Sequence, residues 1–208
     1  QRQMCIRDSR EEVLCTTGVV PAVSAVIKAF TRPGDGVALM TPAYNCFFSS
    51  IRNNGCFAAE TSLLMGDAGW TIDFAALEKT LADPRVKVLL FCSPHNPVSR
   101  VWTADEIRRT AQIAHQAGVL FVCDEIHGEF VFGGSRYLPA AQVEGVDPLR
   151  TAILTSPTKT FNLAGAGIAA IIAAGPKVRA KIDRAVNDNE CCDVNVFGVA
   201  ADIAAWNQ

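Results

Sequence analysis

Residues 86–127 read VKVLLFCSPHNPVSRVWTADEIRRTAQIAHQAGVLFVCDEIH, and this stretch decides the fold class. Two short apolar runs, Val86–Cys92 and Val119–Cys123, have the length and composition of buried strands. The segment between them, Thr103–Ala117, has the apolar period of a helix. A buried strand, a helix and a second buried strand in this order predict two parallel strands joined by a crossover helix.

The same alternation of short apolar runs and helical segments continues on both sides of this unit. The predicted strands are Val13–Thr16, Gly36–Met40, Cys56–Glu60, Val86–Cys92, Val119–Cys123, Thr151–Thr155 and Ile168–Ala173. The predicted helices are Pro21–Phe30, Cys46–Asn53, Phe74–Ala82, Thr103–Ala117, Pro176–Asn187 and Val196–Trp206. Thr103 and Glu106 have the spacing of a capping box, and Gly118 suits the end of that helix. The predicted class is α/β, with three α/β/α layers around a mostly parallel sheet of about seven strands.

Composition and charge limit the classes of protein to consider. The chain has 208 residues, of which 50% are apolar and 19% charged, which is typical of a globular protein with a buried core. A formal net charge of -2 without a Lys/Arg-rich run predicts neither a nucleic-acid partner nor an anionic membrane partner. Apolar stretches such as Ile168–Ala174 are too short to span a membrane. We therefore expect a soluble protein.

The chain contains one predicted domain. Residues 10–208 show no internal repeat, low-complexity tract or linker, which favours a single α/β domain. Gln1–Ser9 has neither a helical nor a strand period and does not start with Met, so we expect it to be a non-native leader. The helical pattern of Val196–Trp206 runs to the last residues without a cap. The chain is therefore expected to be part of a longer protein.

The cysteines and histidines predict no metal site. Eight cysteines in a chain of this length without a signal peptide are expected to be reduced thiols of a cytoplasmic protein, and most lie in apolar runs that predict burial. No C-x-x-C motif is present, and His95, His115 and His127 lack the spacing of metal ligands. The vicinal pair Cys191-Cys192 leaves metal or redox use open as an alternative.

Candidate binding residues follow the predicted strands, because ligands of open α/β sheets bind beyond the carboxyl ends of the strands. After the first strand, Gly18 and Val19 open a helix whose free N–H groups suit a phosphate. A plain strand-to-helix turn is the alternative. After the second strand comes Tyr44, whose ring suits stacking on a flat cofactor, or else simple packing.

Polar residues also follow the two strands of the quoted stretch. Asn96 lies between two prolines that hold the backbone extended, and its amide suits a phenolate oxygen. Asp124, Glu125 and His127 come directly after a buried strand, where each polar group needs a partner. A binding site explains them, and a structural ion-pair network remains the alternative.

A lysine follows the next predicted strand. Lys159 lies in a loop with the hydroxyl residues Ser156 and Thr158, and a surface lysine is the alternative interpretation. Combined with the groups above, it completes the set that holds pyridoxal phosphate. The lysine would form the Schiff base, an aspartate would pair with the pyridine nitrogen, and N–H groups and hydroxyls would bind the phosphate.

The ordered set resembles a known enzyme superfamily across most of the chain. It is similar to the fold-type I pyridoxal-phosphate enzymes of the class I/II aminotransferase superfamily through Gly18, Tyr44, Asn96-Pro97, Asp124 and Ser156-x-x-Lys159. Within that superfamily it resembles the MalY/PatB-type cystathionine (cysteine-S-conjugate) β-lyases through 93–98, 100–102, 124–127 and 159–165.

The resemblance implies a role for each candidate residue. Lys159 would anchor pyridoxal 5'-phosphate and act as the catalytic acid and base, and Asp124 would pair with the pyridinium nitrogen. Asn96 and His127 would contact the phenolic oxygen, and Tyr44 would stack on the ring. The implied phosphate ligands are Gly18, Val19, Ser156 and Thr158.

The resemblance also implies an activity and partners. The expected reaction is β-elimination from cystathionine or another cysteine S-conjugate, which yields a thiol, pyruvate and ammonia. An aminotransferase and a non-catalytic regulatory protein of the same fold remain alternatives. A small amino-acid thioether is the implied substrate and a homodimer the implied assembly, with residues 187–195 as a candidate interface loop.

Three departures from the family pattern bear on these expectations. Relatives commonly carry Gly where Ser99 stands, so the turn after Asn96 is expected to be distorted, and Gly167 stands where many carry a phosphate-binding arginine. The N-terminal segment and the small C-terminal domain, with the substrate-carboxylate arginine, are expected to be missing. Residues 165–170 also fit a dinucleotide G-x-G-x-x-A pattern, but the β-branched residues that follow favour an antiparallel strand.

Overall fold

Within residues 10–67 and 69–207, which the computed structural model describes, the chain has nine strands and seven helices. The strands are β1 Val13–Thr16, β2 Gly36–Thr41, β3 Phe57–Ser62, β4 Leu64–Gly66, β5 Gly69–Thr71, β6 Val86–Cys92, β7 Leu120–Asp124, β8 Thr151–Thr155 and β9 Ala169–Ile172. The helices are α1 Val19–Phe30, α2 Asn45–Asn53, α3 Phe74–Leu81, α4 Ala104–Gln116, α5 Pro157–Thr160, α6 Pro176–Asp188 and α7 Val196–Trp206. Short 3-10 turns cover Arg10–Glu12, Ala140–Gln142 and Pro148–Arg150.

Seven strands form one sheet in the order β1-β9-β8-β7-β6-β2-β3. Only β9 runs antiparallel to its neighbours in this sheet, so the other six strands point in the same direction. Their carboxyl ends therefore lie along one edge. β4 and β5 form a separate antiparallel hairpin. No helix in the described part of the chain is long and apolar enough to cross a membrane.

Two apolar cores cover the two faces of the sheet. The core under α1, α2 and α6 receives Val88, Leu90, Cys92, Leu120 and Val122. The core under α3 and α4 receives Leu89, Phe91, Phe121 and Cys123. Side chains of a strand alternate between faces, so Asp124 follows Val122 onto the α1 side and Glu125 follows Cys123 onto the α4 side.

The α/β class, the seven sheet strands and the six predicted helices are confirmed, with ends displaced by a residue or two. The capping box of α4 is present, since Thr103 accepts the Glu106 N–H and the Glu106 carboxylate accepts the Thr103 N–H. Gly118 has a φ of 76° at the end of that helix, as its position predicts. The run after Gly167 is an antiparallel strand, which confirms the expectation over the dinucleotide pattern.

Two structural expectations are wrong. The segment expected to be a loop around Lys159 is the short helix α5, because Ser156 caps it and Pro157 suits its first position. The seven described cysteines are all free, but only Cys92, Cys123 and Cys191 are buried. Cys15 is exposed because it lies on β1, an edge strand of the sheet. Residues 1–9, the expected leader, lie outside the described residues.

Candidate active site

The candidate site lies at the edge of the sheet where β1, β2, β6, β7 and β8 end. A cavity of about 220 Å³ opens there. Seven of the nine predicted site residues line it: Val19, Tyr44, Asn96, Asp124, His127, Thr158 and Lys159. The other two, Gly18 and Ser156, flank the cavity without lining it. The sheet topology therefore brings together residues that are up to 140 positions apart, from Val19 to Lys159.

Asp124 is the buried acid of the cavity. It is the last residue of β7, and its side chain is on the α1 face of the sheet. Its carboxylate accepts one hydrogen bond, from the Ile126 N–H at 3.1 Å. Burial raises the pKa of Asp124 to about 6, although that N–H partly offsets the effect. Among the described residues no cation forms an ion pair with it. A protonated nitrogen in the cavity would supply the missing partner.

Lys159 is the cation that faces the same cavity. It lies on α5 and is exposed, and its amine takes part in no hydrogen bond or ion pair within the described residues. Burial and the nearby charge of Lys159 lower the pKa of His127, so the imidazole is neutral at neutral pH. A lysine without an ion-pair partner in the described chain, beside a neutral imidazole, is a candidate for proton-transfer chemistry.

The first turn of α1 presents unbonded backbone N–H groups at the cavity wall. The helix begins at Val19, with Gly18 as a cap that has no side chain. Pro21 has no N–H, so the free donors of the first turn are the N–H groups of Val19 and Val20. Both residues line the cavity, and the helix dipole adds positive potential at this end. A phosphate group matches this arrangement.

Ser156 holds the lysine helix in place. Its hydroxyl donates to the Ile168 carbonyl at 2.7 Å and accepts the Thr158 N–H at 3.2 Å. These bonds fix the start of α5 against the strand that follows the lysine. Because Ser156 is buried and its hydroxyl is engaged in this way, its implied role as a phosphate ligand stays a prediction.

Tyr44 and Asn96 come from the segments after β2 and β6. Tyr44 is 37% exposed at the start of α2, and its ring contacts the Phe47 ring edge-on at 6.1 Å between centroids. Asn96 lies in a turn that the His95 N–H closes by donating to the Arg100 carbonyl at 2.8 Å. The turn closes with Ser99 in the left-handed conformation, at a φ of 56°, so the hydrogen bond across it is kept.

A second cavity of about 580 Å³ adjoins the first, and the sequence analysis missed it. The two cavities share Asn96, His127 and Lys159. Phe130 and Phe132, from the loop after His127, line the second one. The sequence could have indicated them, because two aromatic residues stand in a polar segment shortly after Asp124 and His127. Cys46 and Cys92, which line the first cavity, gave no such signal.

Glu125 does not face the cavities, although it is adjacent to Asp124. It lies on the opposite face, where its carboxylate accepts the Ala140 N–H at 2.7 Å and the Tyr137 hydroxyl. Burial raises its pKa to about 7. In the described residues no lysine or arginine pairs with Glu125, Asp124 or His127, so the ion-pair network considered as an alternative is absent.

The fold and this site define a class of protein, that of the pyridoxal-phosphate-dependent transferase fold. The solved structure of cystalysin from Treponema denticola, which contains a pyridoxal 5'-phosphate cofactor, matches this chain with a TM-score of 0.93 and 35% identity. The match covers 97% of this chain and 51% of cystalysin.

The chain belongs to the aminotransferase class I and II family, which matches residues 2–189. It is 34% identical to cystathionine beta-lyase PatB of Bacillus subtilis (strain 168) over 95% of this chain and 51% of PatB. It is 33% identical to the protein MalY of Escherichia coli (strain K12) over 95% of this chain and 50% of MalY. The chain therefore spans about half the length of the curated relatives it matches.

Proposed function

We propose that residues 10–208 are the cofactor-binding domain of a pyridoxal-phosphate-dependent carbon–sulfur β-lyase. Its substrates would be cystathionine or other cysteine S-conjugates, and its products a thiol, pyruvate and ammonia. One observation carries the proposal: the free amine of Lys159 and the buried, unpaired carboxyl of Asp124 line one cavity with a helix N-terminus. The similarity to the cystathionine beta-lyase PatB favours lyase chemistry over other reactions of the family.

The residues of the cavity match the chemical groups of pyridoxal 5'-phosphate. Asp124 would pair with the ring nitrogen, and the first turn of α1 would bind the phosphate. Asn96 and His127 would contact the phenolic oxygen, and Tyr44 would pack on the ring. When bound, the cofactor withdraws electrons from the substrate's Cα and so makes the proton there acidic.

The residues of this chain would then hold the cofactor and move the proton. Asp124, as a carboxylate, keeps the ring nitrogen protonated, because the two charges stabilise each other in a buried place. The Lys159 amine would take the proton from Cα, and the Cβ–S bond would then break with its electron pair leaving on sulfur as a thiolate. Overall, one cysteine S-conjugate and one water give one thiol, one pyruvate and one ammonia.

Spectroscopy and trapping test the cofactor and its anchor. The purified protein is mixed with pyridoxal phosphate, reduced with borohydride and digested, in parallel with Lys159→Ala. We expect an absorbance band of the bound cofactor in the wild-type protein and a covalent label on the peptide that contains Lys159. A label on another lysine, or an equal band in Lys159→Ala, would contradict the assignment.

An aminotransferase is the second candidate, because the family that matches the chain takes its name from that reaction. The same cavity would serve both reactions, since both begin with removal of the Cα proton. Pyruvate release from cystathionine, compared with amino transfer to 2-oxoglutarate, separates the two. Transfer without pyruvate release would reject the lyase. A regulatory, non-catalytic role would require that Lys159→Ala keep the biological effect of the protein.

We further propose that the protein works as a homodimer in the cytoplasm. On α7, Val196, Phe197 and Ile203 are 72%, 80% and 58% exposed, and a group of exposed apolar side chains is typical of an interface. α6 extends to Asp188, so the candidate interface loop is shorter than expected. The free cysteines of the described residues fit a reducing compartment. Sedimentation velocity with Phe197→Asp tests the dimer, which we expect this substitution to weaken.

A further inference from the structure

We infer that the second cavity is the subsite for the sulfur substituent of the substrate, and that it selects neutral, apolar substituents over the zwitterionic homocysteinyl group of cystathionine. The inference rests on the proposed lyase function and narrows its substrate class. It concerns the cavity of about 580 Å³ that Phe130 and Phe132 line.

The location of the cavity assigns it to the substrate. In the proposed function Lys159 would take the proton from the substrate's Cα, so the substrate must lie beside Lys159. The first cavity contains the residues that match the cofactor. The second cavity also borders Lys159, and it shares Asn96 and His127 with the first. It is therefore the adjoining space into which a substituent on Cβ can extend.

The wall of the cavity combines apolar side chains with polar ones and carries no negative charge in its described lining. Pro94, Val101, Phe130 and Phe132 provide its apolar surface. The rings of Phe130 and Phe132 are 44% and 78% exposed, which leaves apolar surface uncovered at the cavity. The described lining contains two cations. Its other polar residues are uncharged at neutral pH, and they are His95, Asn96, Ser99, His127 and Ser135. No acidic residue of the described chain lines it.

The two cations are Lys159, which is the base for the Cα proton in the proposed function, and Arg100, which pairs with Glu106. The guanidinium of Arg100 donates to both carboxylate oxygens of Glu106 at 2.9 and 3.1 Å, and to the Trp70 carbonyl at 3.1 Å. It also donates to the Val101 carbonyl and lies over the Trp102 ring, 5.0 Å from its centroid. These bonds use four of the five N–H groups of Arg100 and pair its charge with Glu106, so one N–H of Nη1 is left for a ligand in the cavity.

Charge then decides between substrates. Cystathionine carries a second ammonium and a second carboxylate on its sulfur substituent, and the ammonium would find no acidic partner among the described residues of the cavity, whose two charged residues are both cations. Removing such groups from water without a partner costs free energy, whereas an apolar substituent gains free energy against the phenylalanine rings. The cysteine half of both substrates is identical, so it does not affect the comparison.

The aromatic wall is held in place from the opposite face of the sheet. Glu125 accepts the Ala140 N–H and the Tyr137 hydroxyl, which fixes the far end of the loop. Gly128 packs on the Tyr137 ring, and a Cβ there would lie only 2.8 Å from it. The Phe130 N–H donates to the His127 carbonyl at 2.8 Å. Glu125 is thus a positioning residue for this wall.

Kinetics on two conjugates test the subsite. The protein loaded with pyridoxal phosphate is given S-benzyl-L-cysteine or L-cystathionine, which both release an alkyl thiol, and pyruvate is measured. We expect kcat/KM to be about tenfold or more higher for the benzyl conjugate. Phe132→Ala should reduce this ratio about threefold or more, whereas Met65→Ala, an exposed apolar residue outside the cavity, should leave it unchanged. Calorimetric binding of both conjugates to Lys159→Ala should show the same preference without turnover.

The kinetic results distinguish failure of the subsite from failure of the lyase function. Equal or higher efficiency with cystathionine, or a ratio that Phe132→Ala leaves unchanged, overturns the subsite and leaves the lyase function standing. Absence of pyruvate from both conjugates overturns the lyase function, and this inference with it.

Discussion

The end of β7 places two neighbouring carboxyls on opposite faces of the sheet. Asp124 lies on the α1 face at the cavity, and Glu125 lies on the α4 face under the loop that carries Phe130 and Phe132. Both are buried, and burial raises both pKa values, to about 6 and about 7. Their hydrogen-bond partners differ. Asp124 accepts one backbone N–H, whereas Glu125 accepts the Ala140 N–H and the Tyr137 hydroxyl.

The difference is between a buried carboxyl with two hydrogen-bond partners on other segments and one with a single local N–H. A buried carboxyl is costly unless its lone pairs are satisfied, and the protein itself satisfies much of this need for Glu125. The Asp124 carboxylate accepts only one hydrogen bond within the described residues, so a group bound in the cavity would have to supply the others. The two residues therefore should respond differently to the same substitution: loss of Asp124 should harm binding and activity, and loss of Glu125 should harm stability first.

Asp124→Asn should have the largest effect, on activity. We expect pyruvate release to fall about a thousandfold, because an amide cannot hold a proton on the ring nitrogen by charge. Affinity for pyridoxal phosphate should fall as well, as measured by absorbance titration. The free energy of unfolding of the cofactor-free protein should not fall at neutral pH, because the substitution removes a buried charge that has no ionic partner.

Glu125→Gln is the matched control for this experiment, since it makes the same chemical change one residue further along the chain. It should keep most of the cofactor affinity. If Glu125→Gln reduced the affinity as much as Asp124→Asn, the distinction between the two carboxyls would be wrong.

Of the two carboxyls, Glu125 should contribute more to the pH dependence of stability. A carboxyl whose pKa is raised by folding stabilises the folded state below its unfolded pKa, and this contribution is lost as the pH rises through the folded pKa. With folded values of about 7 for Glu125 and about 6 for Asp124, these two groups should make the unfolding free energy of the cofactor-free protein fall with rising pH, whereas the lowered pKa values of His95, His115 and His127 act in the opposite direction. Between about pH 5 and about pH 8 we expect losses of roughly 3 kcal/mol from Glu125 and roughly 1 kcal/mol from Asp124.

Denaturant unfolding across this pH range, on the wild type and on both amide variants, measures the two contributions. Glu125→Gln should flatten the curve more than Asp124→Asn does. A curve that neither substitution changes would show that the two carboxyls do not have raised pKa values in the folded protein.

Glu125→Ala should lower the unfolding free energy by about 2 to 3 kcal/mol at neutral pH. The substitution removes the carboxylate that accepts the buried Ala140 N–H and the Tyr137 hydroxyl. Glu125→Gln should lower it by less, since an amide oxygen can still accept one of these bonds. Thermal unfolding measures both. Asp124→Ala provides the comparison, and a loss as large as that of Glu125→Ala would contradict the structural role given to Glu125.

The sequence could predict Asp124 and Lys159 because their signals are local. Each follows a short apolar run, and the carboxyl ends of parallel strands share one edge of the sheet, so neighbours in space follow from the strand pattern alone. The roles of Glu125 and Cys15 could not be predicted in this way. The partner of Glu125, Tyr137, depends on the path of an irregular loop, and the exposure of Cys15 depends on β1 being an edge strand.

The sequence also could not predict the shortest helices and strands. α5 has four residues, Pro157–Thr160, which is too short for a helical period to be visible in the sequence. The β4–β5 hairpin, Leu64–Thr71, has strands of three residues each, and its apolar side chains are exposed. Both elements depend on caps and turns instead of a buried face, so the pattern of apolar residues carries little information on them.

Tyr137→Phe should have the smallest effect and should separate the two carboxyls most directly. The Tyr137 hydroxyl donates to the Glu125 carboxylate and so lowers the pKa of Glu125 against the effect of burial. Its removal should raise that pKa further and lower the unfolding free energy by about 1 kcal/mol at neutral pH. The pKa of Asp124 should stay where it is, because its carboxylate is bonded to the Ile126 N–H on the other face of the sheet. Carboxyl titration by NMR of the wild type and of Tyr137→Phe follows both groups, and a shift of Asp124 equal to that of Glu125 would mean that the sheet does not separate them.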